Sequence, residues 1–133
     1  MNNKTPKFLV IDDDRASLAL VKATLSRQQY DNIDLFLDAQ EAQKSYQAKD
    51  YDILILDLRM PHLNGFEILR EMQNSNEPTP SVIVITAYAE PENTTKALEL
   101  GAKKVFLKPF EIGDFVKEVE MLVDDIGISW LAF

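Results

Sequence analysis

The feature that most limits what this chain can fold into is a pair of unbroken apolar tetrads, Ile53–Leu56 (ILIL) and Val82–Ile85 (VIVI). Side chains along a strand point alternately to the two faces of a sheet, so a strand with one wet face alternates polar and apolar residues. A strand without that alternation is buried on both faces, the condition of a parallel sheet with helices above and below it. Comparable short runs stand at Phe8–Ile11, Ile33–Phe36 and Val105–Leu107, and the VIVI run extends back to Ser81, giving Ser81–Ile85. Stretches with helical spacing lie between them. Leu18, Val21 and Leu25 recur at steps of three and four, Phe66, Leu69 and Met72 less perfectly at steps of three, while Ile112, Phe115, Val116, Val119, Leu122 and Val123 form the clearest stripe. Asn64-Gly65 opens the third helix, Pro91 suits the first turn of the fourth, and Gly101 closes it where a left-handed residue is often needed. Pro78 and Pro80 interrupt the chain before the fourth strand. The order βαβαβαβαβα predicts an α/β fold: a five-stranded parallel sheet covered on both faces and joined by right-handed crossovers.

A length of 133 residues fits one domain, assigned to residues 1–125, with 126–133 left as an apolar tail or the start of a linker. That tail, IGISWLAF, is expected to pack back on the domain or lead into a linker; the sharper alternative is a docking or dimer surface using Trp130 and Phe133. Fourteen basic against 22 acidic residues give a net charge of −8. Without a basic stripe to neutralise phosphates, direct nucleic-acid binding is not expected, whereas a divalent cation is compatible with the balance. No run reaches the ~18 apolar residues of a membrane span, and MNNKTPK lacks the apolar stretch of a signal peptide, so membrane insertion is not expected. The absence of cysteine removes disulfides and thiol catalysis and fits a cytoplasmic setting.

In an open α/β sheet, ligands gather at the carboxyl ends of the strands. The residues there are Asp12, Asp13 and Asp14 after the first strand, Asp57 after the third, Thr86 after the fourth and Lys108-Pro109 after the fifth. Converging carboxylates repel one another, and a hard cation such as Mg²⁺ relieves this with oxygen ligands, typically one or two carboxylates plus water and phosphate. Asp57, at the end of a buried strand, is a rigidly mounted nucleophile, and carboxylate attack on phosphorus yields an acyl phosphate. Charge on the transferred oxygens then needs donors, and Lys108 and Thr86 supply an ammonium and a hydroxyl. Each residue alone has a plainer explanation: an Asp after a strand ordinarily caps a helix, the duty assigned to Asp14, Thr86 could also cap, and Lys108 could be a solvated charge. Acid pair, Asp, Thr and Lys, in that order and each at its own strand end, favour phosphoryl chemistry over coincidence.

Four segments carry a family resemblance: FLVIDDDRAS, DILILDLRMPHLNGFEILR, VIVITAYAE and GAKKVFLKPF. Over about residues 6–124 the chain resembles the receiver domains of bacterial two-component response regulators, with the acidic pair, the phospho-acceptor Asp, the Met-Pro, the Gly, the Thr and the Lys-Pro-Phe all in place. The resemblance implies a flavodoxin-like, doubly wound (βα)5 fold with strand order 2-1-3-4-5. It implies that Asp57 accepts phosphate from a phosphohistidine on a sensor histidine kinase or histidine phosphotransfer protein. The domain would catalyse only its own phosphorylation and dephosphorylation. Asp13 would ligate Mg²⁺ directly and Asp12 mainly through water, with Asp57 and the backbone carbonyl of Arg59 completing the protein ligands. Lys108 would pair with the phosphoryl group, Thr86 would move toward it after transfer, and the Lys108-Pro109 bond would be cis. The family's output face, about Pro91–Asp124 here, would meet partners and could carry a homodimer.

One departure concerns the switch. The family often has a Tyr or Phe three positions before the Lys, and this chain has Val105 there, followed by Phe106. A small aliphatic side chain cannot swing a ring into space vacated by Thr86. Arg59 and Tyr88, two residues beyond Asp57 and Thr86, occupy positions that in the family tune dephosphorylation. His62, the single histidine, reads as a loop residue rather than a phosphate carrier. Among rivals, a haloacid-dehalogenase-type phosphatase would want Thr or Val where Ala16 stands and more chain for its cap. A flavin-binding protein would need a phosphate-cradling loop after the first strand, where three acids stand instead. A phosphorylation-independent pseudo-receiver, acting as a binding module, is the alternative function.

Overall fold

A computed structural model describes residues 5–46, 50–59, 65–87 and 90–126. Strands and helices alternate: β1 (Phe8–Ile11), α1 (Arg15–Arg27), β2 (Ile33–Phe36), α2 (Ala39–Tyr46), β3 (Ile53–Leu56), α3 (Gly65–Gln73), β4 (Ser81–Thr86), α4 (Pro91–Glu99), β5 (Lys104–Leu107) and α5 (Ile112–Asp125). All five strands pair in parallel in the order β2-β1-β3-β4-β5, as expected. Two strand limits differ from the sequence reading by one residue, β4 running on to Thr86 and β5 starting at Lys104. Lys104 is exposed on an edge strand, where apolar patterning does not mark the limit.

The two-residue side-chain period sorts the central strands into two layers. Phe8, Val10, Ile53, Ile55, Ile83, Ile85 and Phe106 point toward α1 and α5, where they meet Leu18, Val21, Leu25, Phe115, Val119, Leu122 and Val123. Leu9, Ile11, Leu54, Leu56, Val82 and Val84 point the other way, toward α2, α3 and α4. This is why ILIL and VIVI contain no polar residue: both faces of β3 and β4 are dry. In the first layer Phe106, Phe110 and Phe115 pack as a trio, with Phe106 and Phe115 edge to face at 6.0 Å. Burying an aromatic or Leu side chain of this kind contributes roughly 1.5–3 kcal/mol.

The caps follow local chemistry. Asp14 is extended, at φ −95°, and its carboxylate accepts from the Ala16 N–H and the Ser17 hydroxyl, closing α1 as expected. Pro91 occupies the first turn of α4, and Gly101 follows it at φ +108°, in the region that favours glycine. Ile112 departs from its predicted stripe: it stands in the first turn of α5 and is exposed, while the stripe's buried members begin at Phe115. Ile126 follows α5 and packs, half-buried, against the first layer. Residues 127–133, with Trp130 and Phe133, lie outside the described residues. No described helix is long and apolar enough to cross a membrane.

Candidate functional site

Strand order reverses at β1 and β3: the chain steps from β1 outward to β2, then returns to the far side of β1. The carboxyl ends of these central neighbours therefore open onto a crevice that no crossover covers. Ile11 and Leu56 are paired in register, so the residues that follow them, Asp12 and Asp57, emerge side by side. Backbone bonds carry the pairing past the strand ends, with Asp57 N–H donating to the Ile11 carbonyl at 3.0 Å and Asp12 N–H to that of Phe36 at 3.1 Å. Thr86 pairs with Leu107 and its carbonyl accepts from Lys108 N–H at 2.9 Å, which brings β5's last contribution level with the others.

Both central acids are buried, Asp12 to 5% and Asp57 to 7% exposure, and Thr86 to 1%. Lys108 reaches across from β5 and bridges them, its Nζ lying 2.8 Å from Asp12 Oδ2 and 3.2 Å from Asp57 Oδ2. The remaining oxygens take backbone donors: Asp14 N–H to Asp12 Oδ1 at 2.9 Å and Arg59 N–H to Asp57 Oδ1 at 3.2 Å. The peptide bond between Lys108 and Pro109 is cis, as expected. Asp13 is exposed, yet one of its carboxylate oxygens lies within 4.8 Å of oxygens of both Asp12 and Asp57. Among the described side chains, the carboxylates of Asp12, Asp13 and Asp57 thus gather beside the Lys108 ammonium.

The electrostatics register this imbalance. Burial, together with the Asp57 charge, raises the Asp12 carboxyl from 3.8 to about 6, despite opposing hydrogen bonds from Lys108 and the Asp14 backbone. For Lys108, burial pulls downward but is outweighed by the hydrogen bond and charges of Asp12 and Asp57, so its ammonium is held above its ordinary value. Hydrogen bonds from Ala16 and Ser17 lower the Asp14 carboxyl, consistent with a capping role. With the ionised form of Asp12 disfavoured, the cluster suits a hard cation, and an all-oxygen donor set of this kind fits Mg²⁺.

The structure brings Asp12, Asp13, Asp57, Thr86 and Lys108 to one edge. Asp14 belongs to the helix cap, while His62 and Tyr88 lie outside the described residues. Gly65, which the family resemblance includes, makes a contact that the sequence does not show. Gly65 N–H donates to the Leu58 carbonyl at 2.7 Å, and a Cβ at Gly65 would sit 2.8 Å from Leu58 Cα and 2.9 Å from the Asp57 carbonyl oxygen. The start of α3 therefore rests on the backbone of the central acid. The Asn64-Gly65 pair signalled a helix opening, but no local pattern signals that contact.

The fold has relatives among known proteins. The response regulator receiver domain family matches residues 8–120. The regulatory protein VanRB of Enterococcus faecalis is 32% identical over 121 residues, covering 91% of this chain and 54% of that protein. Among solved structures, the receiver domain of the Francisella response regulator 1452 superposes with a TM-score of 0.82 at 29% identity, covering 91% of this chain and 98% of that one. A BeF3-activated DrrB receiver domain gives 0.80 at 26%, covering 91% and 99%. The chain spans about half the length of the curated relatives it matches.

Proposed function

The chain belongs to the response regulator receiver domain family, and from that premise we propose that it is a phospho-accepting switch whose acceptor is Asp57. Response regulators receive phosphate from histidine kinases; for this chain the donor is a phosphohistidine on such a kinase or on a histidine phosphotransfer protein. A carboxylate oxygen of Asp57 attacks phosphorus, the P–N bond to the donor imidazole breaks, and an acyl phosphate is left on Asp57. Because the developing charge lies on the transferred oxygens, the ammonium of Lys108 passes from its carboxylate partners to the phosphoryl group. Thr86 supplies a hydroxyl from the neighbouring strand. Asp12, Asp13, Asp57 and the Arg59 carbonyl would hold Mg²⁺, which supplies charge neutralisation for the phosphoryl oxygens. The receiver unit of this reading is residues 1–125, in a cytoplasmic setting. Contact with partners falls to α4, β5 and α5, which carry the exposed side chains Leu98, Leu107 and Ile112.

The observation that carries this reading is the Lys108 bridge to both buried acids beside a third carboxylate. A phosphorylation-independent module has no use for that arrangement, since buried acids without a chemical role are only a cost to the fold. The test is intact-mass measurement after incubation with Mg²⁺ and acetyl phosphate, beside Asp57→Asn. One phosphoryl adduct is expected on the parent chain and none on the variant. An adduct on both, or on neither, would overturn the assignment of Asp57.

A further inference from the structure

Among α1, α3, α4 and α5, α4 has the smallest buried face. Each of the others buries four residues, whereas α4 buries only Ala97. Beneath it, β5 presents Val105, a short side chain only partly buried against the second layer. Phe106, the ring next along β5, points into the opposite layer with Phe110 and Phe115. Among the described residues an aromatic contact to α4 comes instead from α3: Lys96 Nζ lies 4.5 Å from the centroid of the Phe66 ring. Side chains on a helix lean toward its N-terminus, which lets Lys96 reach back along α4 to the start of α3. At the other end of this helix pair, Gln73 Nε2 donates to the Glu99 carbonyl at 3.2 Å.

Phe66 directly follows Gly65, whose backbone is pressed against Leu58 and the Asp57 carbonyl with no room for a Cβ. A displacement of the Asp57 backbone therefore bears on the first turn of α3, and the first turn of α3 carries the ring that holds Lys96. We propose that Phe66 and Lys96 form the coupling through which a change at Asp57 reaches α4. This deepens the phospho-acceptor reading and rests on it for the physiological trigger. The mechanism is a shift between packed helices, for which a one-residue anchor and a half-exposed cation–π contact set a low barrier.

The experiment records backbone amide shifts across residues 91–99 in the full chain, comparing Asp57 with Asp57→Asn and untreated with acetyl-phosphate-treated protein, while intact mass reports the adduct separately. The same four samples are made with Lys96→Met, which keeps the packing and removes the charge, with Lys96→Arg, which keeps both, and with Phe66→Leu. The α4 response to either perturbation is expected to fall roughly two- to fivefold in Lys96→Met and Phe66→Leu, the range that a half-exposed cation–π contact can shift an equilibrium. Lys96→Arg is expected to retain it. A response of undiminished size in Lys96→Met and Phe66→Leu overturns the coupling, as does an α4 unmoved by Asp57→Asn in the parent chain. Absence of any adduct would count against the phospho-acceptor reading alone, because the Asp57→Asn comparison needs no phosphoryl group and still decides the coupling.

Discussion

Asp12→Asn should make the protein more stable while it damages the site. Raising the Asp12 carboxyl from 3.8 to about 6 means that its ionised form costs the folded state roughly 3 kcal/mol at neutral pH. An Asn side chain removes that net cost, in which the Asp57 repulsion and the Lys108 attraction are already counted, but it has one acceptor oxygen where Asp12 uses two, toward the Asp14 N–H and Lys108. Leaving one of those donors without its acceptor takes back about 1–2 kcal/mol, for a net gain of about 1–2 kcal/mol. At this chain length that is a rise of ~3–6 °C in Tm. The folded-state value lies above the unfolded one, so between about pH 4 and 6 the native state binds the extra proton, and Asp12's penalty shrinks as pH falls. The advantage of the variant is therefore present at pH 7.5 and more than halved by pH 4.5. Urea unfolding of both proteins at those two pH values, in chelator to exclude divalent cations, measures it directly. Equal stabilities at pH 7.5, or an advantage of the same size at pH 4.5, would show that the Asp12 charge carries no such penalty.

Two further substitutions test the same edge of the sheet. Gly65→Ala forces a Cβ to within 2.8 Å of Leu58 Cα, where only backbone can yield, so it should destabilise by about 1–3 kcal/mol and slow adduct formation from acetyl phosphate. Unchanged unfolding and adduct rates would remove Gly65 from the site. Lys108→Met leaves Asp12 and Asp57 facing each other without a cation and should cost about 1–3 kcal/mol at pH 7.5. That loss should diminish at pH 5 as Asp12 takes a proton, and a pH-independent loss in urea unfolding would show that the missing side chain, not its charge, is responsible.

The fold was legible wherever burial was two-sided. β3 and β4 announce themselves because every position of ILIL and VIVI is dry, and β1 for the same reason. β2 and β5 are edge strands, half-wet, and at β5 the sequence limit slipped by a residue. α2 is the least legible element: AQEAQKSY has no long aliphatic residue, and among its described side chains only Ala39 and Ala42 bury against the sheet, so only the alternation of elements implied it. At the site, strand-end positions identified Asp12, Asp13, Asp57, Thr86 and Lys108, because parallel strands deliver their last residues to one edge. Their mutual contacts could not be read from spacing. The Lys108 bridge spans 96 residues of chain to Asp12 and 51 to Asp57, and depends on strand order, which for this chain came from family resemblance. The Gly65 contact and the Phe66–Lys96 pair are likewise products of tertiary approach.

The same structure explains why a change at the site is more easily expressed in α4 than in the sheet. Sliding any central strand by one residue would exchange the two layers, placing Leu54 and Leu56 where Ile53 and Ile55 now pack, so register is locked by every buried side chain on both faces. Asp12, Asp57 and Lys108 are mounted on that locked frame, which keeps their unfavourable proximity in place instead of letting it relax. Relief must come from a ligand, a proton or an element outside the frame. α3 touches the frame at the Asp57 backbone and is itself well buried, so it transmits displacement more readily than it absorbs it. α4, held by Ala97, the Lys96 contact and the Gln73 bond to its last turn, is the neighbour with the least to lose by moving. A rigid acid cluster beside a weakly anchored helix is thus a division of labour: the sheet stores the electrostatic tension, and the helix reports its release.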